Sequence, residues 1–521
     1  MPVLEQNLKR IVDLGIESLF MKIVRGIEKE SLRVDPEGGL AMTPHPEALG
    51  SALTNPAITT DYCEAQLEFV SPPTTDIDDL TSFLTDAHHF TYQNIGDEKL
   101  WVNSMPCILY SEESIPIARY GVSNVAQMKE TYRLGLGYRY GRLMQTISGI
   151  HYNFSLPQEF WHHYLGKQPE DVHKDDISDQ YMSLIRNFHR HTWLLFYLFG
   201  ASPSVCKSFL KGHRHQLQEY AGNSFYAPYA TSLRMSDLGY SNDAQKSIKV
   251  CYNELENYTS SLVGAMQTPY PDYERIGVKV DGKYRQLNAN LLQIENEYYS
   301  PVRPKRVARS GEQPTAALRR DGIEYVEIRS LDINMFDPTG INQNTMRFIE
   351  ALLIYCLLED SPALDEVAIE ELNRNHTATA KRGRDPDFHL LRNGQTSTVR
   401  EWATEILDNV LAVAEIIDGH ENDQSYADAV RALRPYVDHP ETTMSARIIS
   451  ELKETGSSFF EFALGMAKCH RDYFASIAPL REAQEKRLRQ EVADSVQRQQ
   501  EVEAADDITL DEYLQRYFQS C

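Results

Sequence analysis

The chain lacks any long uncharged apolar run. Its best candidate, Thr192 to Cys206, is shorter than the ~20 residues that span a bilayer, and Gly200 and Pro203 interrupt it. The opening residues carry no basic stretch followed by an apolar core, so we expect no signal peptide. We predict a buried helix around Trp193–Phe199 and no membrane role.

Cysteine is sparse, and its spacing matches no common framework. The seven cysteines are scattered, none forms C-x-x-C, and no histidine pair has the H-E-x-x-H spacing. This pattern argues against a disulfide scaffold and against a zinc motif. It predicts reduced thiols and a cytoplasmic protein.

Positive charge is also scarce. The 52 basic residues stand against 75 acidic ones, which gives a net charge of −23. This balance disfavours binding to nucleic acid or to anionic membranes, since both need basic patches. The chain contains neither G-x-G-x-x-G nor G-x-x-x-x-G-K-[ST], so any nucleotide is held without the common phosphate loops.

Several predicted strands carry acidic or amide side chains along one face. Side chains on a strand alternate between faces, so Glu327 and Arg329 lie together with Tyr325, while Val326 and Ile328 face the other way. Other segments repeat the pattern. Their polar sets are Glu28 with Glu30; Glu64 with Gln66 and Glu68; His151 with Asn153 and Ser155; and Gln286 with Asn288 and Asn290.

Carboxylates packed together repel one another unless a cation lies among them. Oxygen-rich surroundings favour Mg²⁺ or Mn²⁺ over zinc. The alternative is that each pair is an ordinary surface ion pair of little energetic weight. The repetition of the pattern on several strands favours a metal site on an acidic sheet.

Two basic features could bind anions. The cluster Arg303–Arg309 is the densest in the chain and is predicted as a loop that could neutralise a polyphosphate. Arg234, flanked by hydroxyl side chains, suits a small carboxylate. Alternatively, the Arg303–Arg309 loop forms ion pairs with acidic residues on the surface, and Arg234 has a purely structural role.

The chain divides into two parts by its pattern. Residues 1–370 mix strands and helices without βαβ alternation, which favours an α+β fold with an antiparallel sheet and helices on one face. Residues 371–521 are predicted to be a helical region packed on the same domain. Within it, we predict a loop over Asn373–Thr396, capping boxes at Thr398 and Thr509, and a charged helix from Pro479 to Asp507.

Long motifs resemble the bacterial class of glutamate–cysteine ligase. The resemblance runs in order from about residue 20 to residue 360, continues weakly near residues 445 and 501, and fades from about 370 to 500. The motifs are Arg25–Arg33, His45–Leu53, Thr59–Glu64, Ser104–Cys107, Met144–Ser155, Tyr197–Pro203, Arg303–Arg306 and Glu327–Asn334.

The resemblance implies a fold similar to glutamine synthetase, a curved antiparallel sheet that forms a half-barrel funnel flanked by helices. It implies ATP- and Mg²⁺-dependent joining of the γ-carboxylate of L-glutamate to the amine of L-cysteine through γ-glutamyl phosphate. This reaction is the first step of glutathione biosynthesis. Feedback inhibition by glutathione and a monomeric state are further expectations.

The resemblance also implies roles for individual residues. Arg329 and Glu327 would be catalytic, with Arg329 stabilising charge on the transferred phosphoryl group. The metal ligands would be Glu28, Glu30, Asp61, Glu68, His151 and Glu327. The amino-acid pocket would comprise Tyr132, Leu136, Gln145, Arg234 and Tyr240. The nucleotide would lie near Tyr299, Lys305 and Arg306. Asp61 has the opposite strand parity to Glu64 and Glu68, which predicts a bulge or a strand start between them.

Two other functions fit the sequence. The first is a carboxylate–amine ligase that uses another small amine, because a thiol and a methyl group differ by only ~1–3 kcal/mol in discrimination. The second is a regulatory protein that binds metal or nucleotide without catalysis. The competent side chain at every matched ligand position argues against the second.

Overall fold

The computed structural model describes residues 2–210, 215–239, 243–309, 311–419 and 424–519. The helices are α1 Val3–Leu14, α2 Ile77–Asn94, α3 Asn124–Tyr140, α4 Gln158–Leu165, α5 Lys174–Phe199, α6 Asp243–Lys246, α7 Leu255–Gln267, α8 Pro271–Ile276, α9 Pro314–Asp321, α10 Gln343–Leu358, α11 Glu366–Arg382, α12 Val399–Gly419, α13 Ser425–Arg431, α14 Arg434–Asp438, α15 Met444–Thr455, α16 Phe459–Ser476, α17 Glu482–Ala504 and α18 Leu510–Gln519. Within these ranges no helix is both long enough and apolar enough to cross a membrane.

An antiparallel sheet forms the centre of the fold. The strands are β1 Val24–Val34, β2 Ile58–Thr60, β3 Gln66–Val70, β4 Lys99–Leu100, β5 Ile150–Ser155, β6 Ser204–Cys206, β7 Gln218–Tyr220, β8 Ser224–Tyr226, β9 Lys279–Val280, β10 Lys283–Tyr284, β11 Val302–Lys305, β12 Tyr325–Leu331, β13 His389–Arg392 and β14 Gln395–Thr398. Seven of them form the main sheet, in the order β11-β12-β5-β1-β3-β2, with β4 paired to β1. This arrangement confirms the predicted α+β class.

One face of the main sheet is apolar and covered by helices. Ile27, Tyr152, Val326 and Ile328 are fully buried in the largest core cluster. They pack on the side of α5 and α10, which contact each other. The burial of residues 193–199 within α5 confirms the predicted buried helix. The polar side chains of the same strands must therefore face the opposite side.

A buried ion pair joins the sheet to this helical layer. Arg25 Nε lies 2.5 Å from Glu350 Oε1, and the hydroxyls of Tyr152 and Tyr426 donate to the same carboxylate at 2.6 and 2.5 Å. Because both charged partners are buried, removal of Arg25 or Glu350 alone would leave an unpaired charge, at a cost of about 3–5 kcal/mol. The network fixes β1 and β5 against α10.

The region after residue 370 differs in part from its prediction. Residues 373–396 are not a loop but the greater part of α11 followed by the hairpin β13–β14. The inner face of α11 includes Asn375, which exchanges hydrogen bonds with the backbone of Leu391. Because a polar residue occupies this buried position, the apolar periodicity that would predict a helix is interrupted.

Two other predictions for the region after residue 370 are confirmed. The capping boxes at Thr398 and Thr509 are confirmed, as is the charged helix, α17. Core residues from both sides of residue 370, such as Leu352 and Val410, belong to one cluster. The division of the chain at residue 370 stays a prediction.

Three strand or loop assignments are corrected. Glu64 is not on the strand face with Gln66 and Glu68, because residues 61–65 form the turn between β2 and β3, and Glu64 accepts hydrogen bonds from the backbone of His45 and Arg119. The predicted strand start between Asp61 and Glu68 is confirmed, since β3 begins at Gln66. Residues 285–290 are irregular. Arg303–Lys305 belongs to β11 rather than to a loop. In each case the local sequence pattern predicted the wrong structure, because hydrogen bonds from side chains to the backbone, or pairing with a strand distant in sequence, determine the conformation.

Candidate active site

A cavity of about 660 Å³ opens on the polar face of the main sheet. It brings together most of the residues that the sequence analysis selected. Those that line it are Glu28, Glu30, Asp61, Glu68, Tyr132, Leu136, Gln145, His151, Tyr299, Lys305, Glu327 and Arg329. Segments separated by as many as 300 residues of sequence thus meet in one site.

Two of the other three selected residues, Arg234 and Arg306, are not among the described residues that line the cavity. Arg234 is buried, with its guanidinium donating to the carbonyls of Arg329 and Leu331 at 2.8 and 3.2 Å. Arg306 donates to the carbonyls of Asp321 and Gly322, at the end of α9. Tyr240 lies outside the described residues.

The strand register explains how the acidic side chains meet. Glu28 pairs with His151 across β1 and β5, and Glu30 pairs with Glu68 across β1 and β3. Between Ile328 and Leu331 the register with β5 shifts, so two residues of β12 lie opposite one of β5. The bulge lies at Arg329, whose side chain still lines the cavity together with that of Glu327.

His151 lies between two groups of carboxylates. Its Nδ1 is 3.0 Å from Glu28 Oε2 and 3.8 Å from Glu327 Oε1, and its Nε2 is 3.8 Å from Glu30 Oε1. The two sets that could each hold a metal ion are Glu28 with His151 and Glu327, and Glu30 with Glu68 and His151. Its Nδ1 thus faces Glu28 and also lies 3.4 Å from Arg329 Nη1, while its Nε2 faces the carboxylates of the second set.

The group around Glu30 and Glu68 is poor in neutralising charge. Burial, followed by repulsion from Asp61, raises the pKa of Glu30 to about 8. Burial and the nearby carboxylates of Asp61, Glu28 and Glu30 raise the pKa of Glu68 well above its usual range. A cation bound here would remove this penalty, which is a physical sign that the side chains fit a metal.

The group around Glu327 is rich in positive charge. Glu327 Oε1 lies 3.2 Å from Arg329 Nη1 and 3.4 Å from Lys305 Nζ. Burial by itself would raise the pKa of Glu327, but Lys305 and Arg329 hold that pKa well below its usual range. Its second oxygen, Oε2, is buried and has no hydrogen-bond partner among the described residues. An anionic, unpartnered oxygen beside His151 suits a metal ion.

The wall opposite the sheet includes residues that the sequence analysis missed. Lys129, Arg133, Arg139 and Tyr140 line the cavity from α3 together with Tyr132. Spacings of three and four residues place them on one side of the helix, and this periodicity is the signal that could have found them. The charged ones are held in place: Arg139 Nη1, for example, lies 2.9 Å from Glu297 Oε1.

Tyr513 and Tyr517 of α18 also line the cavity. They lie almost 200 residues along the chain from any other lining residue named here. No local motif connects them to the acidic strands, so only the tertiary structure identifies them.

Comparison with known families and relatives gives a consistent result. The sequence model described as glutamate-cysteine ligase matches residues 8–379. The glutamate–cysteine ligase of Alcanivorax borkumensis is 49% identical over 99% of each chain. That of Pseudomonas putida KT2440 is 49% identical over 88% of this chain and 87% of its own.

Solved structures agree with these relatives. The crystal structure of Francisella tularensis glutamate–cysteine ligase in complex with AMP has a TM-score of 0.89 and 37% identity, covering 96% of this chain and 98% of that one. A bifunctional glutathione synthetase from Pasteurella multocida has a TM-score of 0.68 and 24% identity, covering 90% of this chain and 55% of that one. The second shows the fold alone.

Proposed function

Since this chain belongs to the glutamate–cysteine ligase family, we propose that the cavity on its acidic sheet is the site of the family's reaction. The enzyme is an ATP-dependent ligase that joins the γ-carboxylate of L-glutamate to the amine of L-cysteine and forms ADP and phosphate, the first step of glutathione biosynthesis. The observation that carries the proposal is the meeting of both carboxylate groups with Arg329 and Lys305 in a single cavity.

The two carboxylate groups are proposed to hold Mg²⁺, or the chemically similar Mn²⁺. The ligands would be Glu28, Glu30, Asp61, Glu68, His151 and Glu327. Carboxylate oxygens with one imidazole nitrogen fit these hard ions. When bound, such ions neutralise charge on the phosphate oxygens of ATP and of γ-glutamyl phosphate.

The cations of β11 and β12 are proposed to bind the phosphates. Arg329 and Lys305 now share Glu327, and both remain partly exposed to the cavity. A polyphosphate that enters the cavity can accept hydrogen bonds from them, as the developing charge of phosphoryl transfer requires. Tyr299, whose ring also lines the cavity, would lie beside the nucleotide. Arg306 is the weakest member of this set, because its guanidinium already binds two carbonyls.

The amino-acid pocket is proposed to include Tyr132, Leu136 and Gln145, which line the cavity away from the sheet. Arg234 keeps its predicted role toward a carboxylate, but its bonds to the carbonyls of β12 suggest that it also supports Arg329. The attack of the cysteine amine on γ-glutamyl phosphate needs an orienting surface opposite the metals, and α3 offers one.

Four further properties are proposed from family membership and composition. Glutathione, which contains the product dipeptide, would inhibit by occupying the same cavity. The protein would be a monomer in the cytoplasm, without nucleic-acid partners. The free cysteines of the described chain, among them the exposed Cys469, suit a reducing compartment.

Mass spectrometry tests the function directly. Purified protein is incubated with ATP, Mg²⁺ and L-glutamate, with and without L-cysteine. We expect γ-glutamylcysteine and an equal amount of ADP only when every component is present. ADP without the dipeptide would indicate a different amine acceptor, and absence of ADP would contradict the enzymatic assignment.

A further inference from the structure

We propose that α18 forms the wall of the subsite for the amine acceptor, with Tyr513 and Tyr517 facing the bound amino acid. The proposal rests on the function above, in which Tyr132 belongs to the amino-acid pocket. It adds two binding residues that lie outside residues 8–379, the part of the chain matched by the family model.

The first support is position. Leu514, on α18, is buried with Met128 of α3 and Leu287, and the rings of Tyr132, Tyr513 and Tyr517 pack against this cluster. Both tyrosines of α18 are only half-buried, and both line the cavity. One side of α18 therefore serves the core, while the adjoining tyrosine side chains reach the space beside Tyr132.

The second support is that α18 is fixed in place. A capping box between Thr509 and Glu512 begins the helix. Asn124 Nδ2 donates to the carbonyl of Ile508 at 2.9 Å, and Gln313 Nε2 donates to that of Tyr517 at 2.8 Å. The helix is thus tied to elements near both its ends. A wall held in this way is preorganised and loses little entropy when a ligand binds.

The third support is the chemistry of the cavity lining. Phosphates need cations, and the cations that line the cavity come from the strands (Arg303, Lys305 and Arg329) and from α3 (Lys129, Arg133 and Arg139). The lining contributed by α18 is aromatic and carries no charge. A flat aromatic surface suits a small amino acid with a short apolar or thiol side chain, because sulfur packs favourably against aromatic rings.

Steady-state kinetics on the full-length protein tests the proposal. We expect Tyr513→Ala and Tyr517→Ala each to raise the KM for L-cysteine roughly tenfold, while the KM for ATP changes less than about twofold. With L-2-aminobutyrate, which carries a methyl group in place of the thiol, we expect the preference for L-cysteine to shrink. Tyr513→Phe, which keeps the ring, should retain most of the affinity.

Tyr473→Ala is the matched control, since Tyr473 is an exposed helical tyrosine of α16 that does not line the cavity. It should leave every constant unchanged. If Tyr513→Ala unfolds, Tyr513→Leu keeps apolar volume without the aromatic face and carries the same expectation. An increase confined to the KM for ATP would overturn the proposal in favour of an adenine subsite. Unchanged constants, or equal changes in all of them, would also overturn it.

Failure of this proposal is distinct from failure of the proposed function. The kinetic test requires that the unmodified enzyme makes γ-glutamylcysteine. If the enzyme makes γ-glutamylcysteine but the Tyr513 and Tyr517 variants have unchanged KM values, only the role of these two tyrosines is refuted.

Discussion

The two sides of the cavity are built by different means. On the sheet side, Glu28, Glu30 and Glu327 are carried by strands whose register fixes their separation, and backbone pairing holds them whether or not a ligand is present. On the opposite side, α3 and α18 supply side chains from two distant segments that meet only through packing. The comparison suggests that chemistry belongs to the sheet and acceptor recognition to the helices.

Glu327→Gln should give the largest effect. The amide keeps the shape of the side chain but removes the charge that Lys305 and Arg329 share and that a metal would use. Loss of several kcal/mol of charge stabilisation corresponds to a decrease in kcat of roughly three orders of magnitude. Initial-rate measurements over a range of Mg²⁺ concentrations give the result.

Glu324→Gln is the control for that change, because Glu324 precedes β12 and pairs with Arg306 outside the cavity. It should retain nearly full activity. Turnover by Glu327→Gln with unchanged Mg²⁺ dependence would contradict the assignment of the metal site to the sheet side of the cavity.

Lys305→Ala and Arg306→Ala separate two neighbours that the sequence placed in one nucleotide site. Lys305 reaches the cavity, whereas Arg306 binds carbonyls near the end of α9. We expect the KM for ATP to increase about tenfold for Lys305→Ala, as for one lost charge-assisted contact. Arg306→Ala should instead lower the melting temperature with little change in KM. If Arg306→Ala raised the KM for ATP and Lys305→Ala only lowered the melting temperature, the assignment of Lys305 to the phosphate-binding face of β11 would be wrong.

The pH dependence of metal binding sharpens the account of the Glu30 and Glu68 group. The pKa of Glu30 is raised from its ordinary 4.5 to about 8, so its stabilising contribution to the metal-free fold is present at low pH and lost as the pH rises through about 8. Bound Mg²⁺ must displace that proton. The apparent Mg²⁺ affinity should therefore rise with pH by up to about tenfold per unit and level off above about 8.

Thermal unfolding with and without a chelator measures this effect. The difference in melting temperature between the Mg²⁺-bound and metal-free protein should widen as the pH increases toward about 8. Glu30→Gln, which has no proton to lose, should show a smaller dependence on pH. A difference that narrows over this range would contradict the assignment.

The sheet side was largely predictable from sequence, because alternation along a strand is a local property. The pairing of Glu327 with Arg329 and the burial of Val326 and Ile328 follow from period two alone. Glu64 misled the same reasoning, since a turn interrupts its segment. The resemblance to known ligases supplied what alternation could not, namely that Asp61 and His151 belong with these carboxylates.

The helical side was much less predictable. Tyr132 and Leu136 were selected by resemblance, while Lys129 and Arg139 could have been found by their helical spacing on α3. Tyr513 has no such signal, because its place in the cavity depends on how α18 packs on α3. Contacts between segments separated by several hundred residues are set by tertiary packing, which local pattern does not encode.

Binding of Mn²⁺, followed by its electron paramagnetic resonance signal, tests whether the acidic sheet face is the metal centre. The unmodified protein and Glu327→Gln are titrated with Mn²⁺ in the presence of ADP. We predict that the unmodified protein removes Mn²⁺ from solution with high affinity, and that the variant loses at least one tight site while its melting temperature stays close to that of the parent. Equal binding by the two proteins would contradict the assignment of the acidic sheet as the metal centre.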